Sequence, residues 1–139
     1  RRPLRVVFDR QARLPLDSQL LATLNQAPVL VVVSPEADPT RTAALRGSGP
    51  EIVVADGINA ALGDLGRRGI TSLFLEGGPT LAAAFQVADQ LDEARTFVAP
   101  VLLGGGSPAA TGPARLVPLS RSVETIGDDV LITARFKEW

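Results

Sequence analysis

One stretch of the chain sets an acid against an unusually bare turn. Glu76 closes an apolar run. Gly77, Gly78 and Pro79 follow at once, then Thr80, Leu81 and the alanines Ala82, Ala83 and Ala84, all within LFLEGGPTLAAAF (Leu73 to Phe85). Pro79 suits the first position of a helix. The free N–H groups and positive dipole end of such a helix bind phosphate without a basic side chain. The two glycines allow a ligand close to the backbone, and the alanines keep the first turns thin. A carboxylate on a crevice floor needs hydrogen-bond donors. Either the helix start or the N–H and O–H groups of a ligand can supply them. Without a ligand, the same residues make a plain strand-to-helix turn. The pattern is neither the G-x-G-x-x-G fingerprint nor a Walker A loop, which requires a lysine.

What the chain lacks narrows the chemistry further. It contains no His and no Cys. Ser-His-Asp and Cys-His catalysis, His-ligated zinc, thiolate chemistry and disulfides are therefore excluded, and no metal site is expected. Catalysis must run on carboxylates, Arg, backbone groups or a borrowed cofactor. No catalytic side chain stands out. There is no Met either, and position 1 is Arg1 followed by Arg2, so we expect an excised piece of a longer protein. A net charge of −1 argues against a nucleic-acid binder working through a basic field. No apolar run approaches the roughly 18 residues of a membrane helix. Arg1, Arg2, Arg5, Arg10 and Arg13 face only Asp9 among the first residues. They form either a solvated basic edge or a local anion-attracting patch.

The elements that must position these residues follow from periodicity. Apolar runs predict strands at Leu4 to Phe8, Val29 to Val33, Ile52 to Ala55, Ile70 to Leu75 and Ala94 to Ala99. The β-branched run at Val29 to Val33 marks a strand buried on both faces. Short helices are expected after Asp17 and over Thr40 to Leu45. Ile58, Ala61, Leu62 and Leu65 form one helical stripe after the cap Asp56, with Gly69 placed to end that helix. Leu81, Ala84, Phe85 and Ala88 form the stripe of the helix after Pro79. Val123 to Ile126 and Val130 to Phe136 flank GDD, a hairpin signal. The result is one α/β domain over residues 1–139: three layers, a mixed and mostly parallel sheet flanked by helices, and a C-terminal antiparallel hairpin. Ligands of such sheets bind beyond the carboxyl ends of the strands, where Glu76 to Thr80 is expected. A second glycine cluster, APVLLGGG (Ala99 to Gly106), is either a loop that closes over a ligand or a flexible connection.

Four segments, in order, carry a resemblance: RVVFDRQARLPLD, GITSLFLEGGPTLAAAF, LDEARTFVAPVLLGGG and VETIGDDVLITARF. Together they span most of the chain. The chain resembles the reductase domain of the bifunctional riboflavin-biosynthesis deaminase/reductase, whose fold is similar to dihydrofolate reductase. The resemblance implies a cytoplasmic, homodimeric oxidoreductase that uses NADPH. Its substrate would be a small molecule, 5-amino-6-(5-phosphoribosylamino)uracil, reduced to the ribitylamino product by hydride at ribose C1. The cofactor carries the hard step, in keeping with a chain without His or Cys. The resemblance implies Glu76 as a substrate contact. It implies Gly77, Gly78, Pro79, Thr80, Leu81, Ala82, Ala83 and Ala84 as cofactor-binding, with Gly78 to Ala84 holding its phosphates. Arg10 falls where the family meets the nicotinamide nucleotide, although many relatives carry Ser there. By analogy we expect a cis peptide between Gly77 and Gly78.

The family's deaminase half and the beginning of its reductase domain are absent from this sequence. We therefore expect weak or no turnover from the 139-residue chain alone. Two other readings stay open: a stand-alone dihydrofolate-reductase-like pyrimidine or folate reductase, and a non-catalytic nucleotide-binding or oligomerising module.

Overall fold

Strands β1 (Arg5–Phe8), β2 (Val29–Val33) and β3 (Glu51–Val54) form a parallel sheet in the order β1-β2-β3. In register, Val31 stands between Val7 and Ile52, and Val32 between Phe8 and Val53. The middle strand is buried along its whole length, as its unbroken apolar run requires. This computed structural model describes residues 2–102 and 116–138. The chain divides into two compact units, Arg1–Leu73 and Phe74–Trp139.

The first unit is itself three-layered. Side chains alternate across a strand, so β2 feeds two cores. Val29, Val31 and Val33 pack with Leu21 of α1 (Gln19–Ala22) and Leu45 of α2 (Pro39–Gly47). Leu30 and Val32 face the other way, onto Ala61 and Leu65 of α3 (Gly57–Arg67). Full burial of a Leu or Val side chain stabilises by about 1.5–3 kcal/mol. Leu30, Val31, Val33 and Leu45 are the largest side chains fully enclosed.

The helix ends follow local chemistry. Asp38 caps α2, accepting from Arg41 N at 2.9 Å. At the end of α3, Gly69 N donates to Gly66 O (2.9 Å) and Ile70 N to Leu65 O (3.1 Å), with Gly69 at φ +77°. This is the paired closure that favours glycine, and Ile70 packs back on the core that holds Leu65. Two expected caps differ. The N-cap of α1 is Ser18, one residue beyond Asp17, because Leu21 N and Ala22 N both close on Ser18 O. Asp56 occupies the N-cap of α3, but its side chain makes no capping hydrogen bond.

In the second unit, α4 (Pro79–Val87) precedes strands β4 (Glu93–Val98), β5 (Ser120–Ile126) and β6 (Asp129–Arg135), paired antiparallel in the order β4-β6-β5. The β5–β6 hairpin turns at Gly127 and Asp128, with Gly127 at φ +63° and Ile126 opposite Asp129. Primed hairpin turns need a positive φ there. Phe85 and Leu131 are the buried apolar side chains among the described residues of this unit.

Ile70 to Leu75, expected as a further parallel strand, joins no hydrogen-bonded sheet. An apolar run becomes a strand only where a neighbouring strand takes up its backbone groups, and none does so among the described residues, Ile70 N being spent on Leu65 O. Among the described residues the parallel strands form one three-stranded sheet and the antiparallel strands another, so the parallel strands and the terminal antiparallel hairpin of the expected α/β fold are both present. The glycine cluster Gly104 to Gly106 lies outside the described residues.

Candidate functional site

The turn before α4 is set by its own backbone. Gly78 is the N-cap at φ −66°, ψ 174°, and Pro79 takes the first helical position. Leu81 N and Ala82 N both donate to Gly78 O at 3.1 Å, closing the first turn. No side chain caps the helix, and its first turn carries no acid. The N–H groups of Gly78 and Thr80 take no such bond, and with the positive end of the helix they are available to an anion.

The two glycines have different reasons to be glycine. A Cβ on Gly77 would lie 2.8 Å from Leu81 Cδ2 and 3.0 Å from Leu81 Cβ, so Leu81 closes that side. A Cβ on Gly78 would meet nothing within 4 Å. The open space thus lies over Gly78, at the helix N-cap, where a phosphate group of a nucleotide cofactor would approach. Thr80 is exposed, and Ala82, Ala83 and Ala84 are half-buried along the helix. The residues present fit a phosphate-bearing cofactor.

Two expectations about this turn are corrected. The Gly77–Gly78 peptide is trans, since no cis bond occurs among the described residues. Gly78 needs only ordinary extended dihedrals to cap the helix, so nothing local forces the isomer that is roughly 2.5–4 kcal/mol less favourable. Glu76 follows an unpaired segment and not a sheet strand, and it is exposed, not set in a crevice floor. Burial therefore exacts no desolvation penalty from its carboxylate. Phe74, two residues earlier, is 77% exposed.

Arg10 belongs to the first unit. It is exposed just past β1, at the carboxyl edge of the parallel sheet. The basic cluster resolves into separate roles. Arg5 donates to Thr23 Oγ1 (2.8 Å), Thr23 O (2.9 Å) and Ala27 O, and Arg2 donates to Asn25 O. These two guanidiniums close the chain that leaves α1, where carbonyls lack helical partners. Arg10 and Arg13 are exposed, and Arg1 lies outside the described residues.

Sequence reasoning missed the companions of Arg10. Ser34 and Glu36 leave β2 on the same edge, and Ser34 N donates to Arg10 O at 3.1 Å. The Ser34 hydroxyl donates to the Glu36 carboxylate and accepts from Glu36 N at 3.0 Å. The serine hydrogen bond, with help from the charge of Arg10, holds the Glu36 carboxyl below the usual carboxylate range. A Ser-x-Glu directly after an apolar strand was the available signal. Elsewhere Glu93 bridges Arg95 (2.8 Å) and Arg135 (3.0 Å) across β4 and β6, which is an exposed structural pairing.

A family model described as the RibD C-terminal domain matches residues 1–132. A 2,5-diamino-6-ribosylamino-4(3H)-pyrimidinone 5′-phosphate reductase of Archaeoglobus fulgidus is 31% identical over 140 residues, covering 96% of this chain and 63% of that protein. The riboflavin biosynthesis protein RibD of Mycobacterium tuberculosis is 37% identical over 123 residues, covering 78% of this chain and 33% of that protein. The solved structure of Acinetobacter baumannii RibD, form 2, aligns with a TM-score of 0.73 at 26% identity, over 96% of this chain and 37% of that one. The chain thus spans less than two thirds of the length of each. The α/β class, with parallel strands and a terminal antiparallel hairpin, agrees with the dihydrofolate-reductase-like fold that the resemblance implies. With the match running over residues 1–132, this chain belongs to the RibD C-terminal domain family.

Proposed function

We propose that this protein is an NADPH-dependent reductase of riboflavin biosynthesis that converts 5-amino-6-(5-phosphoribosylamino)uracil to its ribitylamino product. The observation that carries the proposal is the uncapped N-terminus of α4, with open space over Gly78 and a carboxylate two residues earlier. The segment from Gly78 through Pro79 to Ala84 binds the cofactor, with the backbone N–H groups of Gly78 and Thr80, which Leu81 and Ala82 leave free by closing on Gly78 O, holding one of its phosphates. Gly77 keeps the turn tight by admitting Leu81. Glu76 accepts hydrogen bonds from N–H or O–H groups of the pyrimidine substrate and orients it. Arg10 takes part in cofactor binding from the carboxyl edge of the parallel sheet. The bound cofactor supplies the hydride that ends at ribose C1. The chain's own contribution is binding and orientation, which suits a protein without His or Cys. Small-molecule substrates and a homodimeric, cytoplasmic enzyme belong to the same proposal.

A second substrate is favoured by one finding. The relative from Archaeoglobus fulgidus is named for the 2,5-diamino pyrimidinone, which differs from the uracil at ring position 2. Titration calorimetry with NADP+ present, using both pyrimidines, separates the two. The wild type should bind one of them. Glu76→Gln should weaken that binding roughly ten- to a hundredfold, the range for losing a charged hydrogen bond, and leave the NADP+ affinity unchanged. Binding of neither pyrimidine, or equal affinity in the variant, would refute the role of Glu76.

A further inference from the structure

The turn between β3 and α3 sets an acid directly before a glycine. Asp56–Gly57 is the only Asp-Gly step in the sequence, which contains no Asn-Gly. Ala55, on the strand side, is buried, and its N–H donates to Val33 O at 2.9 Å. On the helix side, Ala61 and Leu65 are enclosed with Leu30 and Val32. Between these fixed points Asp56 and Gly57 are exposed. Asp56 stands at φ −87°, ψ 88°, outside the helical region, and its side chain makes no capping hydrogen bond. Gly57 takes φ +85°, and a Cβ built on it meets nothing within 4 Å.

These are the conditions for a reaction of the chain with itself. Gly57 is the first residue of α3, so its N–H is one that a helix leaves without an intrahelical acceptor. Glycine puts no side chain between that nitrogen and the neighbouring carboxyl. We infer that Asp56 is a site of spontaneous isomerisation to isoaspartate. The Gly57 nitrogen attacks Asp56 Cγ. The N–Cγ bond forms, a Cγ–O bond breaks, and the carboxyl hydroxyl leaves as water with the amide proton. Water then opens the resulting succinimide. Attack at Cγ restores aspartate. Attack at the main-chain carbonyl carbon of Asp56 breaks its bond to Gly57 N and leaves the chain running through Cβ and Cγ. Nothing is oxidised or reduced, and water is the only co-reactant. The inference is independent of the reductase reading.

Other acids lack this freedom. Asp38 is followed by Pro39, which has no amide hydrogen to lose, and its carboxylate accepts from Arg41 N. The Asp9 carboxylate accepts from Leu14 N at 2.7 Å. Asp64 lies inside α3, where its carboxylate accepts from Arg68 Nε at 2.6 Å. Isomerisation at Asp56 also strains the packing. It adds one methylene to the backbone between Ala55 and Ala61, both held in a close-packed core. The isomer should therefore melt below the parent.

The test is timed incubation of the folded protein at neutral pH, followed by tryptic mapping and thermal denaturation. Cleavage after Arg46 and Arg67 releases Gly47 to Arg67, which carries Asp56 and Asp64 together. Electron-transfer fragmentation locates isoaspartate within it. Isoaspartate should accumulate at Asp56 and not at Asp64, at a rate within severalfold of the same segment as a free peptide. Asp56→Asn should accelerate its formation severalfold, because ammonia is lost more readily than water. Asp56→Glu should stop it, because the ring would need a sixth atom. The aged protein should show a second melting transition below that of the parent. A folded protein whose Asp56 isomerises more slowly than that range, or no faster than Asp64, overturns the inference. So does a folded Asp56→Asn protein that stays intact over the same interval. Isomerised protein that melts with the parent overturns its effect on the packing of α3.

Discussion

Gly78 offers a substitution whose effects on stability and on binding should separate. Its dihedrals, φ −66° and ψ 174°, are open to any residue, and a Cβ there meets nothing within 4 Å. Gly78→Ala should gain about 0.4–1 kcal/mol from the less flexible unfolded chain. It should lose a similar amount, about 0.5–1 kcal/mol, because alanine is a poorer N-cap than glycine. The net change is within about 0.5 kcal/mol, or roughly 2 °C in melting temperature for a chain of this size. Gly78→Val places a larger side chain in the space before the helix N-terminus. It should displace a phosphate from at least one charge-assisted hydrogen bond, a loss of about 1.5–3 kcal/mol, or roughly ten- to a hundredfold in affinity. Gly77→Ala should behave in the opposite way. Its Cβ would press on Leu81 at 2.8 and 3.0 Å, lowering stability by about 1 kcal/mol. Differential scanning calorimetry and NADPH titration on all three variants measure both quantities. A Gly78→Val protein that melts near the wild type and binds NADPH with unchanged affinity would refute the reasoning.

Two further predictions concern the frame. Gly69 and Asp89 occupy equivalent positions after α3 and α4, at φ +77° and +54°; Gly69→Ala should destabilise by about 1 kcal/mol and Asp89→Gly should stabilise by up to about 1 kcal/mol, as read by urea denaturation, and a shift of the same sign in both would contradict the assignment. Asp64 is held below the usual carboxylate range first by the hydrogen bond from Arg68, and Glu93 by those from Arg95 and then Arg135. Carboxylates lowered in the folded state stabilise it above their unfolded pKa, about 4, and lose that contribution as pH falls through the folded pKa. Stability should therefore drop with acid below about pH 4, and Arg68→Gln should flatten that drop; an unchanged slope would show that the pair to Asp64 does not contribute.

How much could be read without coordinates depended on whether the cause was local. Val29 to Val33 announces a strand covered on both faces, and it is enclosed on both. Of the stripe Ile58, Ala61, Leu62 and Leu65, the last three pack from α3 into the core, and Gly69 ends that helix at a positive φ. Gly127 turns the terminal hairpin. Pro79 starts α4 as its fixed φ suggests. Non-local features were not legible. Ile70 to Leu75 has strand composition, but composition cannot say whether a partner strand is available. Arg5 looked like part of a charge patch. Its partners, Thr23 and Ala27, lie 18 and 22 residues away, and only the fold makes it a clamp on their carbonyls. The pairing of Arg10 with the Ser34–Glu36 turn likewise depends on β1 and β2 being neighbours in parallel register. Glu76 and the glycines were visible by type, but the division of labour between Gly77 and Gly78 came only from the position of Leu81.

Backbone amide NMR during NADPH titration reads the proposed phosphate site at the N-terminus of α4. Saturable shifts of the Gly78, Thr80 and Leu81 amides are expected, following one binding isotherm and lost in Gly78→Val. Saturable NADPH binding that leaves these three amides unmoved would contradict it.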